Sequence, residues 1–369
     1  DQMTLYHLVG RETANPAHPN RREFSLQFAH LSPYVAMEIM GLSEAQQERF
    51  LKAYDITKLV MRDLDIFPKK GNASQEQAAM SVDEFERGYP RLTLSLMIDV
   101  VLACLAKVEK PAGGSKKGKD NAEEHADSWT PFNHILATNE GKRAVQRRVN
   151  STSLPGSAIS WIALLGRLHR LNRLKVFYEN QGSKPLNYLD LLRPGHVSVL
   201  DLSDCGATEM SNLVIANILR GLQHAQDEAY QSHEKDPTSD SPVRALLIIE
   251  EAHEFLSVER IDKMKILFEQ VARIAKRGRK RWLGLAFVTQ LPQHLPRQVL
   301  GLVNSHILHK ITDPLVIGSL KKSVSGIDEG LWNRLPGLAP GQAIVSFPHL
   351  TRPLLVSMDP SPARLRLVD

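Results

Sequence analysis

The chain has 369 residues, of which 42% are hydrophobic and 24% are charged, and this composition excludes a disordered protein. Its formal net charge of +5 is a mild basic bias, which is compatible with a polyanionic partner without requiring one. The two cysteines, Cys104 and Cys205, exclude a disulfide scaffold and favour a reducing cytosol. The longest apolar runs are far shorter than the ~20 residues of a membrane span, so a cytoplasmic protein without membrane contact is expected.

The first part of the chain, residues 1–190, has mostly helical periodicity and predicts a helical subdomain. Ser43 is a good N-cap for one helix, and apolar stripes predict two more at 92–108 and 157–177. The stretch 109–128 is polar and rich in Gly and Lys, which predicts a mobile surface loop. Three arginines on the polar side of the last helix indicate either a solvated face or a DNA channel: Arg167, Arg170 and Arg173.

The second part, residues 191–369, alternates strands and helices. Apolar runs predict strands at 197–202, 245–249, 283–289, 305–311 and 343–347. Helices are predicted between them at 210–230 and 262–278, and strands separated in this way indicate a parallel α/β sheet. The run 245–249 is continuously apolar, which predicts a parallel strand buried on both faces.

The strand at 245–249 ends in two acidic residues, Glu250 and Glu251. Ligands of open α/β sheets lie beyond the carboxyl ends of the strands, so these carboxylates are predicted to face a ligand. One could hold a hydrated Mg²⁺ while the other orients an attacking water, although acidic residues are also common in solvated loops. The next strand ends in Thr289 and Gln290, which places a hydroxyl and an amide at the same edge.

A basic stretch of six Lys and Arg in nine positions, 273–281, lies between these two strands. Three interpretations remain open for it. It could be a solvated helix end, a phosphate or DNA patch, or the source of an arginine finger that reaches the nucleotide of a neighbouring subunit.

Two segments together resemble the HerA/FtsK group of P-loop ATPases, and HerA-type DNA translocases most closely. Residues 248–255 read I-I-E-E-A-H-E-F, like a Walker B strand, and the basic A-K-R-G-R-K of 275–280 leads into L-A-F-V-T-Q-L-P at 285–292. The resemblance covers about residues 188–356. It implies a RecA-like parallel sheet of the P-loop NTPase type, with residues 191–369 as the ATPase core and a large helical insertion in the N-terminal half.

Carried onto this sequence, the resemblance implies that Glu250 lies on the Mg²⁺ side, through water, and that Glu251 is the catalytic base. Gln290, beside Thr289, becomes the γ-phosphate sensor. The candidates for a trans-acting arginine finger are Arg277 and Arg279, with Arg273 behind them, and Asp313 is expected near the nucleotide. Within these motifs the sequence departs from the family pattern at two positions: Glu250 stands where Asp is frequent, and Leu291 stands where the family has Arg.

The phosphate-binding loop G-x-x-x-x-G-K-[ST] that such an ATPase needs is not found in a suitable context. The near match at 113–120 ends in Asp120 instead of a hydroxyl residue and follows a helix, so we interpret it as a solvated linker. Because the chain opens at Asp1 in what reads as the middle of a fold, we expect it to be a fragment whose P-loop precedes it.

The sequence therefore predicts part of an ATP-driven DNA translocase that uses ATP and Mg²⁺. By resemblance, it would act as a homo-hexameric ring around duplex DNA, with a nuclease or effector partner, in DNA end processing or antiphage defence. Two alternatives stay open: a motor of the conjugation or secretion type, and a non-catalytic or split-ATPase docking module.

Overall fold

The computed structural model describes residues 2–109, 131–177, 184–205, 208–238, 241–258 and 265–361. The predicted loop at 109–128 lies outside these residues apart from Glu109, and the near match to a P-loop lies wholly outside them. The chain divides into two units, Asp1–Val243 and Arg244–Asp369, and each is described by itself.

A three-stranded parallel sheet organises the first unit. Its order is β2–β1–β3, where β1 is Met3–Leu8, β2 is Arg21–Phe24 and β3 is Val197–Asp201. The central strand β1 is buried from Thr4 onward, as expected for a strand with neighbours on both sides. Only β3 of these strands follows from the periodicity, because β2 reads R-R-E-F and has almost no apolar signal.

Eight helices of four or more residues occur among the described residues of this unit. They are α1 (Pro33–Ile39), α2 (Glu44–Asp63), α3 (Ala73–Met80), α4 (Leu94–Glu109), α5 (Asn139–Ser151), α6 (Ala158–Arg173), α7 (Tyr188–Leu191) and α8 (Thr208–Lys235). The N-cap predicted at Ser43 is confirmed: its backbone N–H donates to the side chain of Gln46 at 3.0 Å, in a capping box. The helix it begins extends to Asp63, well beyond the apolar stripe that predicts it.

Four helices, α2, α4, α5 and α6, pack against one another and form the helical subdomain. Trp161 of α6 is fully buried, and its indole N–H donates to the carbonyl of Pro155 at 2.9 Å. Asp99 of α4 is also fully buried, where it accepts hydrogen bonds from the backbone N–H groups of Phe132 and Asn133 at 2.8 and 2.9 Å. Burial raises the pKa of Asp99 to about 6 although both hydrogen bonds favour its charged form.

The contacts group residues differently from the sequence boundary expected at residue 190. Strand β3 pairs with β1 over Met3↔Val197 to His7↔Asp201, so it belongs to the first unit. Gln226 of α8 donates to the carbonyl of Val243 at 2.7 Å, which ties the end of this unit to the same helix. A boundary of this kind depends on pairing between residues nearly 200 positions apart. Local periodicity in the sequence carries no information about such pairing.

Two sheets lie in the second unit. Strands β4 (Ala245–Ile249) and β5 (Leu283–Phe287) pair in parallel, in agreement with the sequence. The expectation of parallel pairing is wrong for the later strands, because β6 (His306–Leu308), β7 (Gln342–Ser346) and β8 (Leu354–Ser357) form an antiparallel sheet. The α/β class with parallel pairs that a RecA-like core requires is confirmed.

The prediction that β4 is buried on both faces is wrong for the described structure. Leu246 and Ile248 are 64% and 56% exposed, whereas Ala245, Leu247 and Ile249, which alternate with them, are partly covered. Continuous apolar composition is the pattern of a strand covered on both sides, but in the described part of the chain β4 and β5 form a two-stranded sheet and one face of β4 is exposed.

Short helices complete the described part of the second unit. They are α9 (His253–Leu256), α10 (Lys265–Arg277), α11 (Arg297–Leu300), α12 (Pro314–Lys321) and α13 (Glu329–Arg334). An apolar cluster around Trp332, Leu335 and Ile344 joins α12 and α13 to the antiparallel sheet. None of the helices in the described ranges combines the length and apolar character that a bilayer span requires.

Candidate functional site

The candidate site lies at the carboxyl ends of β4 and β5. The two strands are in register at Ile249↔Phe287, so Glu250 and Val288 are the first residues beyond each strand. The pairing continues past the strands, because Val288 donates to the carbonyl of Ile249 and Ala252 donates to that of Val288, both at 2.9 Å. These two bonds lie on either side of the acidic pair and hold both chain segments together around it.

Glu251 has an unusual backbone. Its φ of +46° lies in the left-handed region, which residues other than glycine seldom adopt. The chain turns sharply there and enters α9, and the carbonyl of Glu251 accepts from the backbone N–H of Glu254 at 2.8 Å. Glu250 and Glu251 are both exposed. The turn therefore delivers two consecutive carboxylates to the surface at a strand end.

The structure brings Glu251 and Gln290 into contact. The side-chain amide of Gln290 donates to Oε1 of Glu251 at 3.2 Å, across the carboxyl ends of the two parallel strands. These residues are 39 positions apart, so the parallel pairing of β4 and β5 is what makes the contact. A side-chain amide has a second N–H donor, which can orient a small polar ligand beside the carboxylate.

Thr289 has a partner that the sequence does not predict. Its Oγ1 lies 3.0 Å from Nδ1 of His253 and accepts from the backbone N–H of Leu291 at 3.1 Å. The same Nδ1 lies 3.3 Å from Oε2 of Glu251. His253 is the last residue of the E-E-A-H motif. Its proximity to the strand ends becomes evident only from the structure, in which it begins the short helix α9.

The basic stretch lies at the amino end of β5, opposite the strand ends that carry the carboxylates. Helix α10 ends at Arg277, and one 3₁₀ turn, Gly278–Arg281, leads directly into β5. Gly278 is required there, because a Cβ on it would lie 2.3 Å from the carbonyl oxygen of Leu283. The stretch therefore enters at the amino end of β5, roughly 13–17 Å of strand length from the carboxylates. The side chains of Arg277 and Arg279 lie outside the described part of the chain, and Arg273 is partly exposed on α10.

The remaining predicted residues have separate positions. Asp313 is the N-cap of α12, where its carboxylate accepts from the backbone N–H of Leu315 at 2.8 Å. This contact accounts for the residue as a helix cap. Arg167, Arg170 and Arg173 are exposed on α6 of the helical subdomain, in the first unit.

The acidic pair suits a magnesium ion of the kind that accompanies nucleotides. Mg²⁺ prefers oxygen ligands and retains several waters, so one or two carboxylates together with substrate phosphates are sufficient to hold it. The exposed carboxylate of Glu250 meets this requirement. A cage built from the protein alone is a different kind of site, and no cluster of three or more metal-ligating side chains occurs among the described residues.

Comparisons with known proteins identify relatives over part of the chain. It is 28% identical over 208 residues to the DNA double-strand break repair helicase HerA of Pyrococcus furiosus, which covers 50% of this chain and 37% of that protein. It is 33% identical over 141 residues to a probable DNA double-strand break repair helicase HerA of Methanocaldococcus jannaschii, covering 38% of this chain and 27% of the relative.

The aligned part therefore spans well under half the length of these relatives. Among solved structures, VirB4 of Thermoanaerobacter pseudethanolicus aligns with a TM-score of 0.49 at 12% identity, covering 89% of this chain and 68% of that one. No family model matches the chain. The resemblance to HerA-type ATPases that the motifs indicate is thus confirmed at the level of sequence.

Proposed function

Because the chain is related in sequence to HerA-type ATPases, we propose that it is the part of an ATP-driven DNA-translocating motor that carries the hydrolytic carboxylates. The observation that carries this proposal is the hydrogen bond from Gln290 to Glu251, which joins an acid at the end of β4 to an amide at the end of β5. A base and a water-orienting amide at adjacent strand ends are what phosphoryl transfer to water needs.

In the proposed reaction Glu251 accepts the proton of a water molecule as that water attacks the γ-phosphorus of ATP. The new oxygen–phosphorus bond forms while the bond to the β,γ-bridging oxygen breaks, and ADP leaves with the electron pair. Gln290 donates to the attacking water or to a γ-phosphate oxygen, and Thr289 supplies a hydroxyl at the same edge. Glu250 would hold Mg²⁺ through water, and the ion would neutralise charge on the β- and γ-phosphates.

An arginine from the 273–281 stretch is proposed to act on the nucleotide of a neighbouring subunit. The stretch enters at the amino end of β5, so the length of the strand separates it from the carboxylates of its own chain. Arg277, Arg279 and Arg273 are the candidates, because a guanidinium stays charged and matches phosphate oxygens with its planar fork. This arrangement requires a ring, which we propose to be a homo-hexamer.

The polyanion that the motor moves along is proposed to be duplex DNA. Three observations support this assignment: the exposed arginines on α6, the mild excess of positive charge, and the sequence similarity to DNA double-strand break repair helicases. Arg167, Arg170 and Arg173 are then candidate phosphate contacts in the ring pore. We place this motor in the cytoplasm with a nuclease or effector protein as its partner, in DNA end processing or antiphage defence.

The test is Glu251→Gln in the intact protein as its gene encodes it, which removes the base while keeping the size of the side chain. Hydrolysis of ATP should fall by about 100-fold or more, because general-base catalysis contributes that much, while binding of ATP changes little. Steady-state hydrolysis with duplex DNA, together with equilibrium binding of labelled ATP, measures both quantities. Glu269→Gln, which changes an exposed carboxylate on α10, is the matched control and should hydrolyse ATP normally.

Normal turnover in Glu251→Gln would overturn the assignment of the base. Failure of the unsubstituted intact protein to bind ATP would overturn the motor proposal altogether and favour the docking module.

A further inference from the structure

His253 occupies the space between the two functional strand ends. It is the first residue of α9, and its side chain is only 10% exposed, although Glu251 beside it is 47% exposed. Its Nδ1 lies 3.0 Å from Oγ1 of Thr289 and 3.3 Å from Oε2 of Glu251. One ring nitrogen thus faces one oxygen from each of the two strand ends.

The tautomer of His253 decides which of these groups donates, because the hydroxyl of Thr289 can donate as well as accept. An ionised carboxylate only accepts hydrogen bonds, so contact with Oε2 of Glu251 requires Nδ1 to carry the hydrogen. Oγ1 of Thr289 already accepts from the backbone N–H of Leu291, which fixes the hydroxyl in the segment that follows β5. In that tautomer the N–H group lies within reach of both Oε2 of Glu251 and Oγ1 of Thr289.

Both oxygens of Glu251 are contacted, and from different directions. Gln290 donates to Oε1 at 3.2 Å, and His253 faces Oε2 at 3.3 Å. Two contacts on one carboxylate fix the rotation of its plane, which a single contact leaves open. A general base needs this orientation, because a displacement of about 1 Å at a reacting group can reduce the rate by about 100-fold.

We infer that His253 is a positioning residue: it orients the carboxylate of Glu251 and couples that orientation to Thr289 at the end of β5. This inference rests on the proposed function, in which Glu251 is the base. A histidine that only filled space would be replaceable by an apolar side chain of similar volume. The position between two oxygens calls instead for a donor at Nδ1.

The experiment compares His253→Leu with His253→Asn in the intact protein. Leucine fills the space without a donor, whereas the side-chain amide nitrogen of asparagine can take the place of Nδ1. In His253→Leu we expect kcat for ATP hydrolysis to fall by about 10- to 100-fold, as for other residues that orient a reacting group. KM and the affinity for ATP should change by about twofold or less, because only the orientation of the base is lost. His253→Asn should recover most of kcat.

Combination with Glu251→Gln separates this inference from the proposed function. If His253 acts through Glu251, then His253→Leu should have no further effect in the Glu251→Gln background. A further loss there would overturn the inference and leave the proposed function intact. Normal hydrolysis in Glu251→Gln alone would instead overturn the proposed function itself.

Other results would also contradict the role of His253. Unchanged kcat in His253→Leu, or equal losses in the Leu and Asn variants, would show that the donor is not needed. If His253→Leu does not fold, as thermal unfolding would reveal, Thr289→Val takes its place as the test. That variant keeps the histidine and removes the hydroxyl that fixes it, so it should lower kcat with little effect on KM, and this loss should be absent in the Glu251→Gln background. An unchanged kcat would then overturn the inference.

Discussion

The helical subdomain and the β4–β5 sheet differ in the solvent exposure of their polar and charged side chains. In the subdomain, Asp99 is fully buried and Asp63 is partly buried, and each has defined hydrogen-bond donors. At the ends of β4 and β5, Glu250, Glu251 and Gln290 are exposed. The buried groups are thus enclosed by partners within the fold, whereas the exposed ones remain accessible to a ligand.

Apolar residues follow the same division. Trp161 is completely covered in the helical subdomain, while Leu246 and Ile248 of β4 are more than half exposed. The helical subdomain carries no residue of the proposed hydrolytic site, which lies, among the described residues, on a two-stranded sheet. Stability and chemistry are thus assigned to different regions, which makes each open to separate perturbation.

The largest expected effect is on the packing of the helical subdomain. Trp161→Ala should reduce the free energy of unfolding by about 3–5 kcal/mol, because it removes a fully buried ring and leaves a cavity. Urea unfolding followed by circular dichroism measures this loss. Ile162→Ala, one position along the same helix at a residue that is 51% exposed, is the control and should change stability by about 0.5 kcal/mol or less. Equal losses in the two variants would contradict the described packing of α6.

A smaller effect is expected at the ion pair that joins α2 to α5. The guanidinium of Arg148 donates to both carboxylate oxygens of Asp63, at 2.7 and 2.6 Å, and Arg147 donates at 2.8 Å. The bond from Arg148 is the main cause that lowers the pKa of Asp63. Its stabilisation is therefore present at neutral pH and is lost as the pH falls through that lowered pKa. Asp63→Asn should cost about 1–3 kcal/mol at pH 7.

Asp55→Asn provides the matched control on the same helix. Asp55 is 63% exposed and pairs with Lys58 at 3.0 Å, so its loss should cost about 0.5 kcal/mol or less. Both variants are compared by denaturant unfolding at pH 7. A cost at Asp55 equal to that at Asp63 would show that burial and two-point pairing do not separate the two sites.

The smallest of these effects concerns pH. Burial, with His224 and Arg87 nearby, lowers the pKa of His30 to about 4. The unfolded chain binds a proton near the ordinary value of about 6.5, so lowering the pH favours unfolding between about 6.5 and 4. His30 should therefore cost about 1 kcal/mol of stability between pH 7.5 and 5.5. His30→Gln should reduce this loss in thermal unfolding measured across the pH range, and an identical pH dependence in the two proteins would contradict it.

Local patterns predict the elements that carry the site. The bounds of β4 agree with the apolar run 245–249, and the acidic pair and Gln290 follow strands that pair as expected. These features can be predicted from sequence because composition and spacing over a few residues determine them. The same holds for α2, whose start is set by the capping residues Ser43 and Gln46.

Other features depend on distant partners and leave little local trace. Strand β2 reads R-R-E-F, and it is a strand because β1 pairs with it. Helix α5 is largely polar, and the narrow stripe of Ala144, Val145 and Val149 through which it packs in the helical subdomain is a weak signal in the sequence. His253 shows no role in sequence, because its contacts with Glu251 and Thr289 exist only once β4 and β5 are paired.

The left-handed backbone of Glu251 has a consequence for how this position can evolve. A residue with a Cβ pays about 1–2 kcal/mol for that conformation, from which glycine is exempt. Glycine at this position would relieve the strain. The loss of the carboxylate would not be detected by an assay of folding. Selection for robustness alone would therefore erode the proposed base. A glutamate that persists here despite its cost would mark a lineage in which turnover is still under selection.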